Sequence, residues 1–203
     1  MPSGITSIMF AGTPDVARTC LTKSDIAMTA EKGKDVVLEA LRLIETSTMR
    51  ARLVLAGEFS GREPGRPKST TRWREERIRW LGPVETHTDF FAGLDLFTMP
   101  SRAEGLGSSA LLAMAHAVPV VATRVGGLPE VVEDGRTGWL VPAESPSALA
   151  EAIVAAALDR PHLRALGLQA RERARQFASG RMVEHTEALY YRLVEAKVEK
   201  GKG

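Results

Sequence analysis

Short apolar runs that stop at glycine or proline, with stretches of helical periodicity between them, constrain this chain more than any other feature. Ile5 to Ala11 closes on Gly12-Thr13-Pro14, Arg52-Leu53-Val54-Leu55-Ala56 on Gly57, Ile78-Arg79-Trp80-Leu81 on Gly82, and Leu94 to Met99 on Pro100. Val118-Pro119-Val120-Val121-Ala122 leads into a further Gly-containing loop. These runs are near-continuously apolar, as parallel strands covered on both faces are. Between and after them, Val36, Val37, Ala40, Leu41 and Ile44 predict a helix over about 34–46, and short helices are expected near 86–93, over 107–117 and around Val131 and Val132. Three more are expected at 146–158, 160–177 and 180–196, the first announced by Ser145-Pro146. Strands alternating with helices in this way predict an α/β chain with a doubly wound parallel sheet. The segment 58–76, rich in Gly, Pro, Arg and Ser, reads as a long surface loop.

Composition narrows the function classes. With 203 residues and 44% hydrophobic content the chain can bury the core of one domain. Its 27 basic and 25 acidic side chains give a net charge of +2, too balanced for a dedicated nucleic-acid binder. A single cysteine, Cys20, excludes an intrachain disulfide framework, and no Cys or His spacing suggests a metal site. The first residues lack a basic leader region and no apolar stretch reaches the roughly 20 residues that cross a bilayer. The expectation is a cytoplasmic protein whose membrane contact is at most peripheral, through the basic residues between Arg160 and Arg181.

Ligands of open parallel sheets bind beyond the carboxyl ends of the strands, where loops enter helices. Two loops have that placement. The first runs from Pro100-Ser101-Arg102-Ala103-Glu104 through Gly105-Leu106-Gly107-Ser108-Ser109. Its glycines allow close backbone approach, and the N–H groups of Gly107, Ser108 and Ser109 at the positive end of a helix suit a phosphate. An ordinary strand-to-helix turn capped by Ser108 accounts for the same residues. The second, Thr123-Arg124-Val125-Gly126-Gly127-Leu128-Pro129-Glu130, offers paired glycines, Arg124 for a phosphate and Glu130 for a hydroxyl. A surface role accounts for Arg124 equally well.

Taken in order, Pro100-Ser101, Glu104-Gly105-Leu106-Gly107, Ala113-Met114-Ala115, Val118 to Thr123, Gly126-Gly127-Leu128-Pro129-Glu130 and Gly135-Arg136-Thr137-Gly138-Trp139-Leu140-Val141-Pro142 resemble the C-terminal domain of retaining GT-B glycosyltransferases of the family 4 type. Weaker similarity runs upstream through Asp95-Leu96-Phe97, Arg52 to Gly57 and Glu31-Lys32-Gly33. The resemblance implies a Rossmann-like half of a GT-B fold that binds a nucleotide-diphosphate sugar for hexosyl transfer to a saccharide, lipid or small-molecule acceptor. It implies Glu104 and Lys32 as catalytic residues, with Gly105, Leu106, Gly107, Ser108, Arg124, Gly126 and Gly127 around the donor. No cofactor is implied, because a cation and helix-end amides can stabilise the departing diphosphate without metal. The expected organisation is a divergent segment over 1–30 forming a first strand and loop, the nucleotide-sugar-binding domain over 31–196, and a flexible tail over 197–203.

The pattern is broken in three places. A second acidic residue is common in the family eight positions after the first, where it binds the nucleotide ribose, and that position is Leu112. An Arg shortly before the Lys-Gly pair is replaced by Ile26 and Ala27, leaving Arg18 or Lys23 as substitutes. The N-terminal domain that binds the acceptor has no room in this chain, so a separate acceptor domain or self-association is expected. The alternative is a non-catalytic, truncated nucleotide-sugar-binding remnant.

Overall fold

The computed structural model describes residues 5–10, 32–45, 51–56, 78–82 and 87–200. The elements follow as β1 (Ile5–Phe10), α1 (Lys34–Glu45), β2 (Ala51–Ala56), β3 (Ile78–Gly82), α2 (His87–Ala92), β4 (Leu96–Met99), α3 (Ser108–Ala115), β5 (Val120–Thr123), α4 (Leu128–Val131) and β6 (Gly138–Val141). The chain continues as α5 (Pro146–Leu158), α6 (Arg160–Ala174), a 3-10 turn at Arg175–Phe177 and α7 (Ser179–Lys200). The expected loop over 58–76, Cys20, and the positions Arg18, Lys23, Ile26 and Ala27 lie outside the described residues.

The described strands form one sheet in the order β3-β2-β1-β4-β5-β6. Pairs β2–β3, β4–β5 and β5–β6 are parallel, in accord with the doubly wound α/β expectation. One strand departs from it: β1 runs antiparallel to both neighbours, with Ile5 opposite Ala56 and Thr6 opposite Thr98. An apolar run identifies a strand but carries no direction, since side chains alternate across a sheet whichever way it runs.

Alternation divides the core in two. Val54, Phe97, Val120 and Ala122 face a layer that holds Phe90, Phe91, Met114 and Leu128, while Leu53, Leu55, Leu96 and Val121 face α1 and α5 through Leu41, Ile44, Leu149 and Ile153. The predicted stripe of α1 is the buried one: Val36, Val37, Ala40, Leu41 and Ile44 are each at most 4% exposed. Each such Leu, Ile or Phe contributes about 1.5–3 kcal/mol of transfer free energy. On the opposite face α6 presses on the turn before β5, where a Cβ at Gly167 would lie 2.1 Å from the Ala117 carbonyl oxygen.

One strand was hidden in the sequence, and two expected helices differ at their ends. β6 lies beside β5, and a Cβ at Gly138 would lie 1.9 Å from the Val120 carbonyl oxygen, so the strand must begin with the residue that breaks up its apolar pattern. The helix expected over 160–177 ends at Ala174 in the 3-10 turn, and α7 continues through Lys200, beyond the expected 196. α7 stands away from both cores, with Met182, Leu189, Tyr190, Leu193 and Val194 all exposed.

Candidate functional site

The carboxyl ends of β4 and β5 are tied together before their loops begin. Thr123, fully buried at the end of β5, donates its hydroxyl to the Ser101 carbonyl at 2.6 Å. The second loop then folds onto the first, backbone against backbone. Gly127 N–H donates to the Gly105 carbonyl at 2.7 Å, and a Cβ at Gly126 would lie 1.7 Å from the Glu104 carbonyl oxygen. Gly126 also has φ 51°, a left-handed conformation suited to glycine. Beneath them the Leu128 side chain fills the space where a Gly107 Cβ would be.

Gly107, at φ 83°, is the N-cap of α3, and no side-chain hydrogen bond caps the helix. The turn capped by Ser108 is therefore not the arrangement adopted; Ser108 is the first residue of α3 and is exposed. Gly105 is exposed with open space around its Cβ position, and Leu106 is half exposed at the rim. The start of α3 therefore borders open space at Gly105 and Ser108, while Gly107 and Ser109 are buried.

Lys32 reaches this loop from a distant part of the chain. Gly33, at φ 64°, presses against the Pro100 carbonyl, where a Cβ would come within 1.9 Å, and this contact sets the start of α1 on the end of β4. Lys32 Nζ then lies 2.9 Å from Glu104 Oε2, with the two side chains only 15% and 7% exposed. The other carboxylate oxygen, Oε1, accepts the Gly105 N–H at 3.2 Å. A cation, a carboxylate, two glycines and a helix N-terminus therefore meet at one point.

Other expected residues fall elsewhere. Arg124 is ion-paired with Asp134, whose other oxygen accepts the Leu140 N–H at 2.9 Å, so its guanidinium is fastened toward β6. Its direction is set here by a partner that the loop sequence does not reveal, and both side chains of the pair remain about half exposed. Glu130 is exposed, and its carbonyl oxygen accepts a hydrogen bond from Arg173 at 2.6 Å. Leu112 lies on α3 one turn beyond Ser108, and both line an open groove of about 750 Å³ that also includes Leu111, Arg171, Arg175 and Phe177.

One cluster beside the site went unnoticed in the sequence. Arg102 binds Asp35 through both terminal nitrogens, at 3.0 and 2.6 Å, and Glu144 through Nε at 2.8 Å. The hydrogen bonds from Arg102 hold the Asp35 carboxyl below its ordinary pKa near 3.8, and those to Asp35 and Glu144 raise that of Arg102. Among the described residues, no group of three His, Cys, Asp or Glu side chains is placed to hold a metal, and no helix is long and apolar enough to cross a membrane.

Residues 7–159 match the family model of the glycosyl transferases group 1. The chain belongs to this family. This group 1 glycosyltransferase chain is 36% identical over 118 residues to the N-acetyl-alpha-D-glucosaminyl L-malate synthase of Bacillus anthracis, a match covering 58% of the chain and 31% of that enzyme. It spans only 28% to 42% of the length of this and similar relatives. In fold it is similar to the C-terminal domain of a group 1 glycosyl transferase from Francisella tularensis, with TM-score 0.59 and 20% identity over 74% of this chain and 81% of that one. An Anabaena protein solved with UDP-glucose, HepE, is similar over 79% of this chain and 45% of that one, at TM-score 0.62 and 21% identity. The α/β half of a GT-B glycosyltransferase is therefore the fold of this chain.

Proposed function

We propose that this chain is the donor-binding domain of a retaining, metal-independent hexosyltransferase, with a nucleotide-diphosphate sugar held where Lys32 meets Glu104. The observation that carries the reading is the Lys32–Glu104 contact of 2.9 Å beside the uncapped start of α3. The similarity to HepE, whose structure contains UDP-glucose, supports a sugar nucleotide as the ligand.

Each residue has a physical task in this reading. The amides at the start of α3, with Gly105 allowing close approach, receive the diphosphate at the positive end of the helix. When the bond between the anomeric carbon and the diphosphate oxygen breaks, its electron pair goes to that oxygen. Lys32 and the amides then stabilise the charge that builds there, a contribution of about 10²- to 10³-fold per preorganised donor. Glu104 supports positive charge at the anomeric carbon and orients sugar hydroxyls. The acceptor hydroxyl forms the new bond on the face the diphosphate leaves, and its proton passes to the departing diphosphate.

Transfer also requires an acceptor held in register and shielded from water. In the proposal, that task belongs to a second domain covering this face of the sheet. The exposed apolar side of α7 supports such a partner, or a second copy of the chain. Leu112 favours the second reading, a non-catalytic remnant, because an aliphatic side chain cannot hydrogen-bond a ribose.

Calorimetric titration with UDP, GDP, ADP and their glucose conjugates tests both. Selective binding by the wild type, weakened by Lys32→Ala and by Glu104→Ala, is the expected result. Absence of binding at millimolar nucleotide would overturn the donor-domain reading in favour of the remnant.

A further inference from the structure

We propose that Arg102 is a positioning residue for the Lys32–Glu104 pair, acting through Asp35 and Glu144. Only its consequence for the donor rests on the function proposed above; the geometry stands without it.

The segments 32–35 and 100–104 come from distant parts of the chain and meet at three points. Lys32 pairs with Glu104, the Gly33 backbone lies against the Pro100 carbonyl, and Asp35 binds Arg102. Arg102 thus lies two residues before Glu104, and Asp35 three after Lys32. The two ion pairs join the same two segments side by side. A guanidinium fork bound through two parallel N–H bonds sets angle as well as distance, unlike a single point contact. With that tether closed, less conformational freedom remains to be lost when Lys32 meets Glu104.

Glu144 adds a third segment, the turn between β6 and α5. It has φ 56°, in the left-handed region that residues other than glycine seldom occupy, and its carboxylate reaches Arg102 Nε from that conformation. Side-chain exposures of 28% for Arg102, 67% for Asp35 and 68% for Glu144 place the cluster at the surface, where ion pairs add little to stability. Its effect is therefore expected in the geometry of the adjoining, much less exposed pair rather than in the melting temperature.

The test is quantitative acylation of lysines with acetic anhydride, read by mass spectrometry. Lys32, paired and 15% exposed, is expected to react slowly in the wild type relative to the exposed Lys197. Asp35→Asn and Arg102→Gln are expected to raise the Lys32 rate several-fold relative to Lys197, while Arg136→Gln, which removes a remote surface pair with Glu133, leaves it unchanged. The Kd for UDP-glucose is expected to weaken roughly ten-fold in the first two variants. An unchanged Lys32 rate in Asp35→Asn overturns the proposal, whether or not UDP-glucose binds. Faster Lys32 labelling in a protein whose wild type does not bind UDP-glucose supports the clamp and removes only the donor reading. If Arg102→Gln labels all lysines faster, as unfolding would, the isosteric Asp35→Asn decides.

Discussion

Lys32 Nζ and Glu104 Oε2 lie 2.9 Å apart although 72 positions separate the residues in sequence. The contact closes the distance between the start of α1 and the loop after β4. Removing one member leaves a poorly solvated charge without its counterion. Lys32→Ala is expected to cost about 1–3 kcal/mol of stability, with part regained in the double variant Lys32→Ala/Glu104→Gln. A thermodynamic cycle from denaturant unfolding checks this, and strictly additive effects would show that the pair is uncoupled.

Two neighbouring glycines separate packing from binding. Gly126→Ala places a methyl 1.7 Å from the Glu104 carbonyl oxygen at φ 51°, so both stability and nucleotide binding are expected to fall. Gly105→Ala meets nothing within 4 Å, so the melting temperature should hold while diphosphate affinity drops as the methyl enters the ligand's space. Equal loss of stability in both variants would contradict the described contact between the loops.

Leu112→Glu supplies the carboxylate that the family resemblance expects eight positions after Glu104. Position 112 borders an open groove beside Ser108, so the new side chain has room. A charged hydrogen bond to the ribose is expected to tighten nucleoside diphosphate binding about ten-fold. No gain by calorimetry would mean that the ribose does not lie along α3.

Acid should release the clamp at Arg102. Asp35 has a folded-state pKa below its ordinary value near 3.8, chiefly because Arg102 hydrogen-bonds its charged form. Its stabilising contribution is therefore present above about pH 3.8 and lost as the pH falls through the depressed folded value. The small difference in melting temperature between wild type and Asp35→Asn should accordingly vanish in strong acid. A difference that grows on acidification would reverse the sign of the argument.

α7 presents Met182, Leu189 and Leu193 at helical spacing, exposed by 65%, 49% and 59%. Concentration-dependent self-association is expected in sedimentation velocity, reduced by Leu189→Gln/Leu193→Gln. A monomer at all concentrations would count against a role for this face in association.

The strands were legible because their runs are near-continuously apolar and stop at Gly or Pro, and α1 because its stripe has a helical period. β6 escaped because Gly138, required against Val120, interrupts the run. The reversed direction of β1 could not be read from hydrophobicity, which is blind to chain polarity. At the site, Glu104 and Lys32 were found through resemblance, and the structure brings them together. The ion-pair partner of Arg124, Asp134, lies ten positions downstream behind a helix, and nothing local announces it. Arg102 carries no local signal, because Asp35 and Glu144 are 67 and 42 positions away.

The seating of Gly126 and Gly127 on the carbonyls of Glu104 and Gly105 has a mechanical consequence. Two loops interlocked at the main chain cannot swing apart one at a time. A ligand held there, as proposed, would enter and leave under the control of whatever lies over the end of the sheet, while the joined loops beneath move as one piece.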